Sequence, residues 1–223
     1  MSRTRQASGG GRVVEVPPER LAGWFGRFAE RNDGVLATRL AAAEVVVTGG
    51  NGTTATAVVP FAPLAVQPGE RAGLSIEPLV EHVFLPRRVG LLLVRLGGRS
   101  VGIAEHGRVL LSRTDRHLVH GRSAAGGWSQ QRFARRREGQ ARQALRAAAE
   151  DALEVLGPRL AELDAVVLGG DRRALEELRA DRRLAPLFAL AGPRVLDIPE
   201  PRRTVLDDAA ERAFATEILV REP

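Results

Sequence analysis

From Arg88 to Arg113 the chain reads RVGLLLVRLGGRSVGIAEHGRVLLSR. Its first segment, Arg88–Leu96, is an almost unbroken apolar run rich in Leu and Val. Such a run marks a strand covered on both faces near the middle of a sheet. Gly97-Gly98 turns the chain into a second strand, Ser100–Glu105, and His106-Gly107 turns it again into a third, Arg108–Arg113. Arg116–His120 reads as a fourth short strand.

Working outward toward the C-terminus, Gly121–Ser129 holds Gly, Ala and Ser without periodicity, which predicts a mobile, exposed loop. A long helix is expected from about Gln130 to Leu156, closed by Gly157-Pro158. Asp164–Leu168 is a strand, and Gly169-Gly170-Asp171 leads into a helix through Ala180 with Asp171 as N-cap. Leu184–Leu190 is a short helix, Arg194–Ile198 a strand, and Thr204 to about Leu219 an amphipathic helix. Strands alternating with helices predict an α/β class, with a mixed sheet and flanking helices.

Toward the N-terminus, Pro17-Pro18-Glu19 opens a helix carrying Leu21, Trp24, Phe25 and Phe28 on its core side. Strands are expected at Gly34–Leu40, Ala43–Thr48 and Ala55–Val59, with Gly49–Gly52 as a hairpin turn. Pro60, Pro63 and Pro68 then mark an irregular connection, and a boundary is expected near 75–85. The division predicted is a disordered basic tail over 1–12, a small α+β part over 13–80, and a larger domain over 81–223.

The 223 residues include no cysteine, which excludes disulfides and thiolate metal sites and fits a reducing cytosol. No apolar run approaches the roughly eighteen residues that span a bilayer, and the first residues lack a secretory core. A cytoplasmic protein without a membrane partner is expected. Every basic residue is arginine, and the net charge is +6. Between Arg113 and Arg146 nine arginines face only Asp115 and Glu138, so that segment carries +7 and the remainder −1. A field concentrated in this way suits a polyanion. On a helical wheel with Arg135 at zero, Arg142, Arg146 and Arg132 fall within about 60° of it. Phe133, Ala141, Ala144, Ala148, Ala152 and Val155 fall on the opposite side. One face is therefore expected in the core and the other to bear an arginine stripe for phosphates, and Arg122 in the loop and Arg136 and Arg137 on the helix are further RNA-binding candidates.

Before the stripe lies Gly126-Gly127-Trp128-Ser129-Gln130. The glycines allow backbone freedom and close approach to a ligand. The Gln130 amide does not titrate, but it donates and accepts hydrogen bonds, which suits orienting a water. Trp128 in a polar loop is a candidate for stacking on an RNA end.

The stretch GRSAAGGWSQQRFARRREGQA, Gly121–Ala141, resembles the release-factor-like peptidyl-tRNA hydrolases, in particular their actinobacterial branch. That group is related to the ankyrin-repeat and zinc-finger factor of ribosome quality control. At the level of element order, residues 85–220 resemble the central domain of eukaryotic and archaeal class-1 release factors. The resemblance implies a loop that enters the peptidyl-transferase centre of the large subunit, where a glutamine helps water attack the ester joining peptide to tRNA. Carried over, Gln130 takes the glutamine role, Gly127 the glycine of a Gly-x-x-Gln pattern, and Gly126 assists flexibility. Trp128 and Ser129 separate glycines from glutamine, unlike a compact Gly-Gly-Gln, so Gln131 is the alternative. Gln130 is preferred because Gln131 would lie inside the helix start.

The implied partners are the ribosome, its rRNA and peptidyl-tRNA, with no DNA, no cofactor and no metal. His117 and His120, three apart on a strand, would face opposite ways, and His82 and His106 lie elsewhere. Asp115 near His117 suggests part of a hydrolytic dyad, but no serine elbow accompanies it. Two alternatives remain: a nuclease acting on the tRNA acceptor end, and a ribosome- or RNA-binding factor without catalysis. Nothing in the sequence resembles a stop-codon reader.

Overall fold

The computed structural model describes residues 3–95, 98–116 and 129–223, with the backbone alone at 116 and 129–138. The chain forms two compact units, Met1–Pro86 with Glu211–Pro223, and Arg87–Ala210.

The first unit contains β1 (Arg3–Gln6), β2 (Arg12–Val16), α1 (Pro18–Arg31), β3 (Val35–Leu40), β4 (Glu44–Gly49), β5 (Thr54–Val58), β6 (Gly69–Ala72) and α2 (Glu77–Val83). Its seven-stranded sheet runs β1-β2-β12-β5-β4-β3-β6, where β12 (Thr216–Arg221) comes from the end of the chain. The predicted helix at Pro17-Pro18-Glu19 and the hairpin at Gly49–Gly52 are both present. Pro sits in the first turn, where its missing N–H costs nothing. Leu21, Phe25 and Phe28 project from one side of α1 into a core with Val14, Val16, Val45, Val47, Ala55, Ala57 and Ile218. Trp24 packs against that core and stacks on Phe28, with ring centroids 5.8 Å apart.

Three expectations change here. Instead of a disordered tail, Arg3–Gln6 pairs antiparallel with Arg12–Glu15, and Arg5 reaches Glu217 at 3.0 Å. The turn between them uses Gly9, Gly10 and Gly11 at positive φ, a region closed to most side chains. The second change is the boundary. It falls at Pro86/Arg87, after α2, which occupies the segment read as an interdomain connection. The third concerns the C-terminus. The helix expected to reach Leu219 ends at Phe214, and Thr216–Arg221 becomes the third strand of the sheet, paired with both β2 and β5. Thr216, Ile218 and Val220 are buried, while Glu217 and Leu219 between them are only partly covered. Alternation of period two in a β-branched run favours an extended chain over a helix.

The second unit contains β7 (Arg88–Arg95), β8 (Gly98–Glu105), β9 (Arg108–Arg116), α3 (Ser129–Val155), β10 (Ala165–Gly170), α4 (Arg172–Arg179), α5 (Ala185–Ala189), β11 (Ala191–Leu196) and the first two turns of α6 (Arg203–Phe214). Its sheet has the order β11-β10-β7-β8-β9 and is mixed: β10 is parallel to β7 and β11, whereas β8 and β9 follow as antiparallel neighbours. The α/β class with helices flanking a mixed sheet is therefore the one observed, and the apolar run at Arg88 is the central strand. Asp171 caps α4, accepting from the N–H groups of Arg173 and Ala174. The core places Leu92, Val94, Val101 and Ile103 of the sheet beneath Ala148, Ala149, Ala152 and Val155 of α3.

The new assignment of β12 is testable. Ile218→Ala removes a fully buried side chain and is expected to cost roughly 2–5 kcal/mol in urea unfolding. Leu219→Ala, on the half-covered face, should cost markedly less; equal losses would contradict the strand.

Candidate functional site

Edge strand β9 ends at Arg116 and α3 begins at Ser129, so the Gly-Gly-Trp-Ser-Gln stretch of the sequence runs into the first turn of a long helix. Arg122, Gly126, Gly127 and Trp128, with the strand read at 117–120 and its histidines His117 and His120, lie outside the described residues. Ser129, expected to end the loop, is instead the first residue of α3. Gln130 and Gln131 therefore both stand in its first turn, which removes the distinction by which Gln130 was preferred. The side chains of Gln130, Arg132, Arg135, Arg136 and Arg137 are likewise outside the described residues. Of the predicted stripe, Arg142 and Arg146 are described, and both are exposed.

The opposite side of α3 is set by apolar spacing. Ala148, Ala152 and Val155 recur at three and four residues and are buried in the core of the second unit, as the helical wheel predicts. Among the described residues of the helix, none before Ala148 is fully buried. Among the described side chains of the helix, core contacts run from Leu145 onward.

Between those alanines Asp151 points into the same interface and is buried. Arg99 Nε donates to its Oδ2, and Arg113 Nε lies 3.0 Å from its Oδ1, so each carboxylate oxygen faces a different arginine. Arg99 comes from β8 and Arg113 from β9. Arg99 Nη2 also donates to Asp115 Oδ2 at 2.9 Å, across the strand pair in which these two residues are directly opposed. Arg113 Nη1 closes the ring on Glu154 of α3. A buried ion pair gains against its desolvation cost only when geometry is good and the remaining donors are satisfied. Here the buried pair is Arg99–Asp151, and Arg113, Asp115 and Glu154 around it are half-exposed or more.

This cluster revises the charge reading of the segment. Arg113 serves the helix anchor rather than an open phosphate surface, and Asp115 is paired with Arg99. Sequence reading did not single out Arg99, Asp151 or Glu154. The signal was an aspartate on the apolar side of the wheel, where an unpaired carboxylate would be too costly to bury.

Further along the stripe, Arg183 donates to Glu150 at 2.7 Å, and also to Asp181. These hydrogen bonds, Asp181 first, hold the Arg183 guanidinium well above its ordinary value, and those from Arg183 hold the Asp181 carboxyl below its own. The acid that would interrupt the stripe after Arg146 is thus paired. In α6, Asp207 pairs with Arg203 one turn before it at 3.0 Å.

Residues 87–219, beginning where the second unit begins, match the family described as Actinobacteria/chloroflexi VLRF1 release factor. The chain belongs to that release-factor family. No curated protein matches the chain. Among solved structures, the archaeal translation termination factor aRF1 is similar at 12% identity and a TM-score of 0.43, over 89% of this chain and 73% of that one. Dom34 of S. cerevisiae, a translation termination-like factor involved in RNA quality control, is similar at 8% identity and a TM-score of 0.36, over 92% of this chain and 65% of its own. An "Archaeal protein" is similar at 15% identity and a TM-score of 0.38; the chain covers 48% of its length. No described helix is long and apolar enough to cross a membrane.

Gly139 lies inside α3 in ordinary helical conformation, and a Cβ added there would meet nothing within 4 Å. Packing does not require a glycine at this place, while its backbone entropy weakens the helix. Gly139→Ala is expected to stabilise the second unit by about 0.5–1 kcal/mol, seen as a higher thermal midpoint. A lower midpoint would show that the glycine is needed in the folded helix.

Proposed function

We propose that this release-factor family member is a peptidyl-tRNA hydrolase that cleaves the ester between nascent peptide and tRNA in the peptidyl-transferase centre. It acts in the cytoplasm, without reading a codon, on stalled ribosomes or their large subunits. The observation that carries this reading is the place of Gly126–Gln130 in the chain, after edge strand β9 and running into the first turn of a 27-residue helix that is anchored through Asp151.

The chemistry follows from that location. The first N–H groups of a helix have no partner within it and point along its axis. The N–H groups that begin α3 are thus donors for the oxyanion that develops when water attacks an ester carbonyl. The Gln130 amide accepts a hydrogen bond from the attacking water and donates to the leaving ribose hydroxyl, while Gly126 and Gly127 let the backbone approach the substrate. Trp128 stacks on the tRNA end. Arg122, Arg132, Arg135, Arg136, Arg137, Arg142 and Arg146 neutralise rRNA phosphates and hold the helix in its channel. The ribosome and the tRNA supply the remaining groups, and neither cofactor nor metal enters the scheme.

Successive helix positions are about 100° apart, so Gln130 and Gln131 are not interchangeable. On ribosomes loaded with labelled peptidyl-tRNA, Gln130→Ala is expected to slow release by about 10²–10³-fold while ribosome binding stays within about twofold. Gln131→Ala should retain most of the activity; the reverse pattern would move the role to Gln131. Shortened tRNA would overturn hydrolysis in favour of a nuclease, and binding without any release would leave a non-catalytic ribosome factor. Replacing Arg142 and Arg146 with Gln is expected to lower the salt dependence of binding by about one unit of slope per arginine. An unchanged slope would remove these two residues from the interface.

A further inference from the structure

The described core contacts of α3 lie in its C-terminal half. Asp151 lies 22 positions after Ser129, which at 1.5 Å per residue puts the helix start about 33 Å from the clamp. A tilt of about 5° at the clamp would displace the first turn by about 3 Å. A displacement of about 1 Å is enough to cost about a hundredfold in a reaction that depends on placement. The rest of the buried contact combines Ala148, Ala149 and Ala152 with Val155 and, at its edge, Leu145 and Leu153. Apolar contact of this kind is non-directional. The ion pairs add directional restraint. Arg99 and Arg113 approach the two oxygens of Asp151 from adjacent strands, which fixes both the rotation of the helix about its axis and its position along the sheet. Glu154, three residues on, gives Arg113 a second attachment on the same helix.

We propose that Asp151 is a positioning residue for the reaction: held by Arg99 and Arg113, it aims the start of α3, and with it the first-turn glutamine. This rests on the hydrolase reading above for its consequence in catalysis, but not for its mechanical part. Arg113, half-exposed, is the handle for testing it, because Arg113→Gln removes one partner of Asp151 without touching the buried Arg99–Asp151 pair. Arg113→Lys keeps the charge but not the fork that reaches two carboxylates.

The chain has no cysteine, so two introduced ones can be spin-labelled cleanly. Arg108→Cys, in β9, and Gln140→Cys, on α3 toward the loop, are both exposed. The distance distribution between these labels is expected to be narrow in the parent, about twice as wide with Arg113→Gln, and intermediate with Arg113→Lys. In the release assay on ribosomes, turnover should follow the same order, falling about tenfold for Arg113→Gln with the half-saturating ribosome concentration within about twofold. An unchanged distribution in Arg113→Gln overturns the proposal, whatever the release assay shows. Broadening with undiminished release by an active parent also overturns it. Broadening in a protein whose parent releases no peptide supports the mechanical role and sinks the hydrolase reading alone.

Discussion

The carboxylate of Asp151, with an arginine on each oxygen, is the interaction on which the second unit depends. It joins three elements far apart in sequence: β8 through Arg99, β9 through Arg113, and α3 through Asp151 itself. Hydrophobic burial brings α3 onto the sheet but is non-directional. A buried ion pair has the opposite character, with little net stabilisation when intact and a penalty of about 3–5 kcal/mol when one partner is removed. Such an interaction selects one arrangement among several that burial alone would allow. Here the arrangement selected is a helix directed away from its anchor, with the Gly-Gly-Trp-Ser-Gln segment at its head.

Charge in this segment accordingly has two tasks. Arg113 and Asp115, near the end of β9, are tied to the anchor, whereas Arg142 and Arg146 are exposed on the outer side of α3. Glu150, the next position along that side, is matched by Arg183. A count of charges cannot separate these tasks, because it ignores which side of the helix each residue occupies.

Local periodicity made much of the second unit legible. The apolar run at Arg88, the turn at His106-Gly107, and the spacing of Ala148, Ala152 and Val155 each report on neighbours close in sequence, and each of these formed. The misreadings involve partners far away. Arg3–Gln6 looks like a disordered arginine-rich tail until β2 and Glu217 are beside it, and that ion pair spans 212 positions. Thr216–Arg221 follows an alanine-rich helix directly, and its alternating pattern of six residues is too short to stand out from the amphipathic stretch before it. Its strand character comes from the gap between β2 and β5. Asp151 belongs to the same class: its meaning lies in two arginines on strands 38 or more positions earlier. The candidate loop was found by motif, since its composition marks it as irregular and the resemblance rests on Gly121–Ala141.

The proposed reaction turns on one bond and one nucleophile: water attacking the ester carbonyl of peptidyl-tRNA. Release carried out in water enriched in oxygen-18, with mass analysis of both products, tests this most directly. One heavy oxygen is expected in the new carboxylate of the peptide, with a full-length tRNA ending in an unlabelled 3′ hydroxyl. A heavy oxygen on a tRNA phosphate, with the peptide still esterified to a short nucleotide fragment, would contradict it.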